Sequence, residues 1–331
     1  MEIRRIQTTA GGTYIVTLPR SAVEQLGLSK GDMVSVHMDD GKLVLTPAVA
    51  RTPRQTKIVR IEDFPDPKML ELAIVNLYIG GHDVAEIVSD RPIGLSQKKS
   101  IRTAAEGLMG IEILEDYSSR VVLQTLVDPS KFELDDLLAK FSSICRAILN
   151  DSLISITTGD RALASDAYER GVESTRLYRL MMRICFQALR NIRVRESIKV
   201  GSLTSLVVRI IAVRELGRIA YYSMRVAERT GELGSKLPDE ILSSTSAMGE
   251  IVLDMLEKSV QSLLECNPSL ASQVIDRMAE VREHYSNIFR MIIRRPEKEA
   301  YTLGLIIRAF RSVAGYAVAL ADDAILESFS R

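Results

Sequence analysis

Short stretches of alternating and β-branched residues fill the first 48 residues of the chain, a pattern typical of β-strands rather than helices. Gly11-Gly12 and Asp40-Gly41 interrupt these stretches, and an Asp-Gly pair between two such stretches is a strong hairpin signal. The pattern predicts four strands, at residues 3–8, 13–18, 33–38 and 42–46.

A short helix is predicted between the second and third strands, where Ser21 and Glu24 have the spacing of a capping box and Gly27 is a plausible end. A unit of this size buries little apolar surface by itself. Two hairpins and one helical turn are most easily stabilised as an intertwined dimer. We therefore assign residues 1–48 to a small β domain that forms a homodimer or a higher oligomer.

Residues 49–60 form a basic, Pro-containing linker in this interpretation. Residues 1–60 carry nine Lys and Arg against five Asp and Glu, whereas the whole chain has a net charge of zero. A local positive charge of this kind favours an anionic partner, of which nucleic acid is the obvious candidate. A solvated surface with a polar linker explains the same charge count.

Residues 61–129 have a mixed pattern that predicts a small α+β connecting segment. Helical spacing covers residues 68–88, with a break at Gly80-Gly81, and again residues 96–109. Residues 111–115 and 120–127 are predicted to form a hairpin. Nothing in this segment indicates catalytic chemistry, and its role stays open.

Residues 130–331 have helical periodicity throughout and predict six long helices. Their expected ranges are 131–157, 160–195, 201–231, 237–265, 268–296 and 298–328. Breaks are expected at glycines and prolines, namely Gly159, Gly201, Gly231 with Gly234, Pro268 and Pro296.

The six predicted helices repeat as two sets of three. Residues 172–183 match residues 279–290, with Tyr178 aligned to Tyr285. In the last helix of each set, Arg214 aligns with Arg308. Three apolar positions that follow each arginine also align. A repeat of about 100 residues predicts two similar three-helix bundles side by side, so the fold class is mainly α.

Composition excludes several classes of protein. The three cysteines are far apart and form no CxxC, so neither a disulfide framework nor a cysteine zinc site is supported. The first twelve residues lack an apolar signal core, and the longest apolar stretch, residues 313–321, is about half of a membrane span. We expect a cytoplasmic protein without direct membrane insertion.

The string GGTYIVTLPRSAVEQLGLSKGD at residues 11–32 resembles the AbrB/MazE/SpoVT family of swapped-hairpin domains. The variant it resembles most stands at the front of archaeal PhoU-like proteins. This resemblance implies a dimeric DNA-binding domain. An antitoxin-like role also occurs with this fold, but the long helical body makes it the less favoured interpretation.

The string RELGRIAYYSMRVAE at residues 214–228 resembles the signature helix of the PhoU phosphate-uptake regulators, and residues 312–322 resemble a second copy. Residues 108–129 are also similar to the connecting part of the archaeal members. The resemblance implies a regulator of phosphate uptake that acts through a phosphate transporter ATPase or a signalling protein.

Many members of that family bind metal clusters through carboxylates, but this chain departs from the pattern. The family's ligand positions fall on residues that lack a carboxylate, namely Thr175, Gly217, Tyr221, Arg282, Arg311 and Gly315. An arginine at such a position repels a cation. We therefore expect no family-type metal cluster and no cofactor.

Candidate DNA contacts in the N-terminal domain are Arg4, Arg5, Thr8, Thr9 and Arg20. Only one of the two adjacent arginines can face DNA if the first strand is regular. Arg20 follows Pro19 at the start of the short helix, and the threonine hydroxyls can donate to phosphate oxygens.

Signals for catalysis are poor. The three histidines, His37, His82 and His284, lie in different regions, and no GxSxG, P-loop or GxGxxG motif occurs. We therefore expect no enzyme. Arginines are dense in the second long helix, and a solvated, salt-bridged surface is favoured there over a basic face for an acidic partner.

Two functions remain in competition. The first is a DNA-binding regulator of phosphate uptake or phosphate homeostasis, in which the N-terminal dimer contacts DNA and the helical body senses a signal or docks a partner. The second is an interaction module without DNA binding, which docks on a phosphate transporter or a signalling protein. Salt-dependent DNA binding separates them.

Overall fold

The computed structural model describes residues 2–39, 41–48, 55–233 and 237–329. The chain divides into two compact units, Met1–Pro53 and Arg54–Arg331.

The N-terminal unit consists of two antiparallel pairs of strands separated by one short helix. Strands β1 (Gln7–Thr8) and β2 (Tyr14–Ile15) form the first pair, and helix α1 spans Arg20–Gln25. Strands β3 (Val34–Asp39) and β4 (Lys42–Pro47) form the second. All four predicted strands are present, although the first two are much shorter than the pattern predicted.

The predicted capping box of α1 is wrong. The helix begins after Pro19 without a side-chain cap, because the carboxylate of Glu24 accepts a hydrogen bond from Nε of Arg20 at 2.9 Å instead. Proline fixes φ near the helical value and lacks the N–H that would need a partner, so it can precede the first turn without a cap.

The second unit opens with a four-stranded sheet covered by two helices. In chain order its elements are β5 (Thr56–Arg60), α2 (Pro67–Ile79), β6 (Val84–Val88), α3 (Leu95–Glu106), β7 (Ile111–Asp116) and β8 (Arg120–Thr125). The strand order is β5-β6-β8-β7, with β5 and β6 parallel and the other pairs antiparallel. Leu70, Ile74 and Ile101 of the helices pack with Ile87 and Leu123 of the sheet.

Two predictions for this region need correction. The linker predicted at residues 49–60 extends too far, because residues 56–60 form β5; its part at residues 49–54 lies outside the described residues. The helix predicted at residues 68–88 ends at Ile79, and residues 84–88 form β6. Gly81, at φ 85°, turns the chain after the helix, and a short apolar run after a turn is compatible with either type of element.

The helical body contains eight α-helices among the described residues. They are α4 (Leu134–Thr158), α5 (Arg161–Arg190), α6 (Ile192–Ser197), α7 (Leu203–Gly231), α8 (Asp239–Glu265), α9 (Pro268–Asp276), α10 (Met278–Ile292) and α11 (Glu297–Ser328). Two of the six predicted helices are therefore divided. The first division is at Asn191, whose side chain caps α6 by accepting a hydrogen bond from Arg193 N, and the second is at Arg277.

The body confirms the predicted pair of three-helix bundles. Helices α4, α5 and α7 form the first bundle. In the second bundle, α8 and α11 pack with α9 and α10, which together take the place of one helix. Helix α7 packs along α11 and α4 packs along α8, so the two bundles share one continuous apolar core. Tyr222 and Tyr316, each eight residues after the repeated Arg214 and Arg308, stack with ring centroids 5.8 Å apart at this interface.

Helix α11 is the one helix of the described residues that is long and apolar enough to cross a membrane, but half of its apolar window is buried inside the protein. Leu303, Phe310 and Leu320 of this helix are all fully buried. Its apolar character is explained by packing against α7 and α8, since a helix at the centre of two joined bundles is apolar on most sides.

Candidate functional sites

The candidate DNA contacts lie in two places of the N-terminal unit. Arg4 and Arg5 precede β1, so the argument from a regular strand does not apply to them. The guanidinium of Arg4 is 2.8 Å from the carboxylate of Glu2, and both side chains are exposed. Exposed ion pairs of this kind contribute little to stability, so a phosphate can replace the carboxylate at small cost.

Thr8 and Thr9 lie together in the first hairpin. The Oγ1 atom of Thr9 accepts a hydrogen bond from Thr13 N at 3.2 Å, and Thr9 N donates to Thr13 O at 2.9 Å. Gly12 has φ 80°, a conformation that favours glycine at this turn. The hydroxyl of Thr9 therefore also stabilises the turn.

Arg20 lies apart from these residues in sequence, at the first turn of α1. Its side chain is 92% exposed, and its hydrogen bond to Glu24 leaves the terminal nitrogens toward solvent. Within the described part of the unit, no hydrogen bond or ion pair joins Arg20 to Arg4, Arg5 or either threonine. Contacts inside one chain therefore do not hold Arg4, Arg5 and Arg20 on a common surface.

No described side chain of the N-terminal unit is buried. Its apolar residues are exposed along both hairpins, among them Ile3, Ile6, Tyr14, Met33, Val36, Met38 and Leu43. A unit of this size without a buried side chain leaves more apolar surface exposed than a folded domain usually does.

The two signature helices carry aromatic and basic contacts at the family's ligand positions. A Cβ at Gly217 would lie 2.6 Å from the ring of Tyr178, whose hydroxyl accepts a hydrogen bond from Arg214 Nη1 at 3.0 Å. In the second bundle, the guanidinium of Arg311 lies 4.9 Å from the ring centre of Tyr285. Among the described residues no group of three or more His, Cys, Asp or Glu side chains is arranged to hold a metal ion. The remaining family positions, Thr175, Tyr221, Arg282 and Gly315, likewise carry no carboxylate.

A buried arginine joins the helical body to the four-stranded sheet and its two covering helices. Arg183 of α5 is 1% exposed, and its guanidinium donates to Tyr78 O at 2.9 Å, His82 O at 2.6 Å and Asp83 Oδ1 at 2.7 Å. The same group lies 5.0 Å from the ring centre of Tyr78. It thus satisfies one carbonyl in the last turn of α2 and one beyond its C-terminus, where a positive charge is also favoured by the helix dipole.

Neighbouring side chains of α5 extend this contact. Arg179 donates to Gly107 O at 2.9 Å, and Arg190 donates to Gly80 O at 3.0 Å. A Cβ at Gly107 would lie 2.7 Å from Nη1 of Arg179, so a larger residue there would displace the end of this side chain. The prediction of a solvated arginine surface is therefore wrong for Arg183, which is buried, and for Arg179, which is partly buried, whereas Arg190 remains exposed. Their spacing, with Gln187, on one face of α5 is the sequence signal that could have identified a docking face.

Burial changes the ionisation of groups at this contact. It raises the pKa of Tyr78 to about 12 and lowers the pKa of Arg183 and of His82, with Arg190 and other cations lowering that of His82 further. A guanidinium stays charged in proteins despite such a shift. At neutral pH the contact therefore contains a cationic Arg183, a neutral Tyr78 and a neutral His82.

A second buried polar group lies in the helical body. Burial, followed by the charges of Glu215 and Asp322, raises the pKa of Asp323 to about 7. Burial also raises the pKa of Glu215 on α7, against the opposing effect of Arg218 and Arg214.

Two of the three cysteines are enclosed in the helical body. Cys145 and Cys185 are fully buried, and burial raises both thiol pKa values to about 12. Cys266 is only partly buried.

Comparisons with known proteins agree with this architecture. The model of the PhoU domain matches residues 138–230 and 245–324, and the model of the antidote-toxin recognition protein MazE, a bacterial antitoxin, matches residues 7–53. No curated protein matches the sequence of this chain.

Two solved structures resemble the helical body. PhoU from Pseudomonas aeruginosa aligns with a TM-score of 0.53 at 16% identity, over 60% of this chain and 96% of that one. The phosphate transport system regulatory protein PhoU from Streptococcus pneumoniae aligns with a TM-score of 0.52 at 15% identity, over 59% of this chain and 94% of that one. At these identities the likeness concerns the fold.

The matched domains define a helical-bundle protein with an N-terminal MazE/AbrB-type domain. Because the PhoU model matches more than half of its residues, the chain belongs to the PhoU family. This confirms the resemblance seen in the signature strings at residues 11–32 and 214–228.

Proposed function

We propose that the protein is a DNA-binding regulator of phosphate uptake or phosphate homeostasis in the cytoplasm, without enzymatic activity. In this proposal two copies pair through their N-terminal units and present Arg4, Arg5 and Arg20 of both copies to DNA. The helical body senses a signal or docks a partner, either a phosphate transporter ATPase or a signalling protein.

The observation that carries the proposal is the N-terminal unit without a buried side chain, which combines exposed apolar strands with exposed arginines. Dimerisation covers the apolar strands and doubles the number of arginines on one body. An extended group of arginines on a symmetric dimer suits the DNA backbone, which carries regularly spaced phosphates. The attached PhoU body supplies the link to phosphate.

The test measures binding of the full chain to DNA upstream of its own gene and of phosphate-transport genes at two salt concentrations. We expect binding that weakens steeply with salt, since each neutralised phosphate contributes a slope of about −0.9 in log K against log salt. The triple change Arg4→Ala, Arg5→Ala, Arg20→Ala should reduce both affinity and slope. A chain shortened to residues 55–331 should not bind.

A matched control is Arg146→Ala, which removes an exposed arginine of α4 that pairs with Glu257 at 3.0 Å. It should leave DNA affinity unchanged. Light scattering on the full and shortened chains tests the pairing, and a full chain that stays monomeric at micromolar concentration contradicts the proposed dimer. Equal affinity at both salt concentrations contradicts the DNA-binding role.

The alternative is an interaction module that does not bind DNA. The zero net charge of the chain and the exposed apolar residues of the N-terminal unit are compatible with it. It predicts that the helical body captures transporter subunits or a signalling protein. It also predicts that the full chain has no affinity for DNA upstream of its own gene or of phosphate-transport genes.

A further inference from the structure

The seam between α10 and α11 has a defined register. Residues 293–296 join the two helices, so they run antiparallel as neighbours. Arg311 lies over Tyr285, and a Cβ at Gly304 would lie 3.9 Å from Ile292 Cδ1. Since Gly304 is seven residues before Arg311 and Ile292 seven residues after Tyr285, both contacts fix the same alignment.

This register places two more arginines along the seam. Arg282 lies one turn before Tyr285 on α10, beside Gly315, which lies one turn after Arg311 on α11. Arg308 lies one turn before Arg311, beside Phe289. The seam therefore carries three arginines within about two helical turns.

The three arginines lack acidic partners in the described range 237–329. Arg282, Arg308 and Arg311 are all exposed, and none forms an ion pair there. The neighbouring carboxylate of Glu280 is bonded to Arg277 and that of Glu299 to Arg295. Glu283 follows Arg282 directly, which places it about 100° around the helix.

An aromatic surface and an open space adjoin these charges. Tyr285 and Phe289 stack with ring centroids 6.2 Å apart and an interplanar angle of 19°, and Phe289 remains 46% exposed. A Cβ at Gly315 would meet nothing within 4 Å, so the backbone there is accessible. The seam thus offers guanidinium groups that form no ion pair among the described residues, beside a half-exposed aromatic ring.

We propose that this seam binds a phosphate-bearing small molecule, with the phosphate held by Arg308, Arg311 and Arg282. Guanidinium groups donate paired hydrogen bonds that match the oxygens of a phosphate. Packing of Arg311 on Tyr285 orients one such group in advance. Inorganic phosphate and nucleotides share this chemistry, and the ring of Phe289 suits the base of a nucleotide.

The inference goes beyond the proposed function, because it assigns a ligand to the helical body and requires no contact between the N-terminal unit and DNA. The experiment is a calorimetric titration of the full chain with inorganic phosphate and, separately, with ATP. We expect saturable binding of at least one probe. Arg308→Gln and Arg311→Gln should each weaken it about tenfold or more, since a charge-assisted hydrogen bond is lost.

Arg146→Gln on α4 removes the same charge away from the seam and should leave binding unchanged. Phe289→Ala distinguishes a nucleotide from free phosphate as the ligand. A large loss of affinity for ATP with little loss of affinity for phosphate indicates a nucleotide. Tight binding of phosphate with no preference for ATP indicates the free ion. All substituted side chains are exposed, and circular dichroism verifies that each variant is folded.

No saturable binding of either probe overturns the inference, as does equal affinity in the wild type and both arginine variants. DNA binding measured on the same variants keeps the two proposals apart. Seam variants should retain it, whereas the triple change in the N-terminal unit should weaken DNA binding and leave binding of the small molecule unchanged.

Discussion

Arg183→Met is expected to loosen the attachment of the four-stranded sheet and its helices α2 and α3 to the helical body. The substitution keeps an unbranched apolar stem against Tyr78 but removes all three hydrogen bonds of the guanidinium, to Tyr78 O, His82 O and Asp83 Oδ1. It therefore tests the buried charge separately from the packing.

The size of the effect follows from the partners left behind. Removing one member of a buried, hydrogen-bonded charge pair costs about 3–5 kcal/mol, because the remaining groups lose their partner without regaining water. The carboxylate of Asp83 is 30% exposed, so it is partly rehydrated. We therefore expect the lower end, about 3 kcal/mol, which corresponds to roughly a hundredfold change in an equilibrium constant.

Hydrogen exchange is the suitable assay, because a protein of several units is not expected to unfold in two states. Backbone amides of α2 and β6 should exchange roughly a hundredfold faster in Arg183→Met, whereas amides of α8 should be unchanged. Arg190→Met is the matched control on the same helix. Its exposed guanidinium makes two hydrogen bonds, to Gln55 Oε1 and Gly80 O, so its effect should be less than about fivefold.

Unchanged protection of α2 and β6 in Arg183→Met would refute the role assigned to the buried guanidinium. It would show that apolar packing alone holds the sheet and its helices against the helical body. An equal loss of protection in Arg183→Met and Arg190→Met would refute the part that depends on burial.

Two further predictions concern the helical body. Because burial raises the pKa of Asp323 to about 7, its carboxyl binds a proton more tightly in the folded than in the unfolded chain, so stability should fall as the pH rises from about 4 to about 7, by up to ~4 kcal/mol. Asp323→Asn should reduce this loss of stability in urea titrations at pH 5 and pH 8, and an undiminished pH dependence in the variant would contradict the assignment. Gly217→Ala should lower stability by about 1–3 kcal/mol, because its Cβ would lie 2.6 Å from the Tyr178 ring. Gly315→Ala, with nothing within 4 Å, should raise stability by up to about 1 kcal/mol, and equal shifts of the two melting temperatures would show that the contact with Tyr178 is unimportant.

Several boundaries of the helical body follow from single residues. Gly159 ends α4 at φ 78°, Pro268 is the first residue of α9, and Pro296 precedes α11, all as the breaks predicted. These residues act through their own backbone, glycine by allowing positive φ and proline by lacking an N–H, so no distant contact is needed to predict them.

Other boundaries depend on contacts that local sequence does not show. The strand β6 was predicted as the end of a helix, because a short apolar run fits both types of element. Its pairing with β5, about 30 positions earlier, and with β8, about 30 to 40 positions later, decides the outcome. The division at Arg277 also has no glycine or proline to mark it.

The sequence alone determined the fold class, the repeat of two three-helix bundles, the β-rich N-terminal unit and the likeness to two families, because periodicity, turn residues and motif strings are local properties. The tertiary structure alone decided which arginines are buried and which remain exposed. Arg183 and Arg282 belong to similar helical patterns, yet one is enclosed by the carbonyls of a distant turn and the other lies on an open seam. The physical reason is that desolvation depends on what packs over a side chain, and its neighbours in sequence do not determine this.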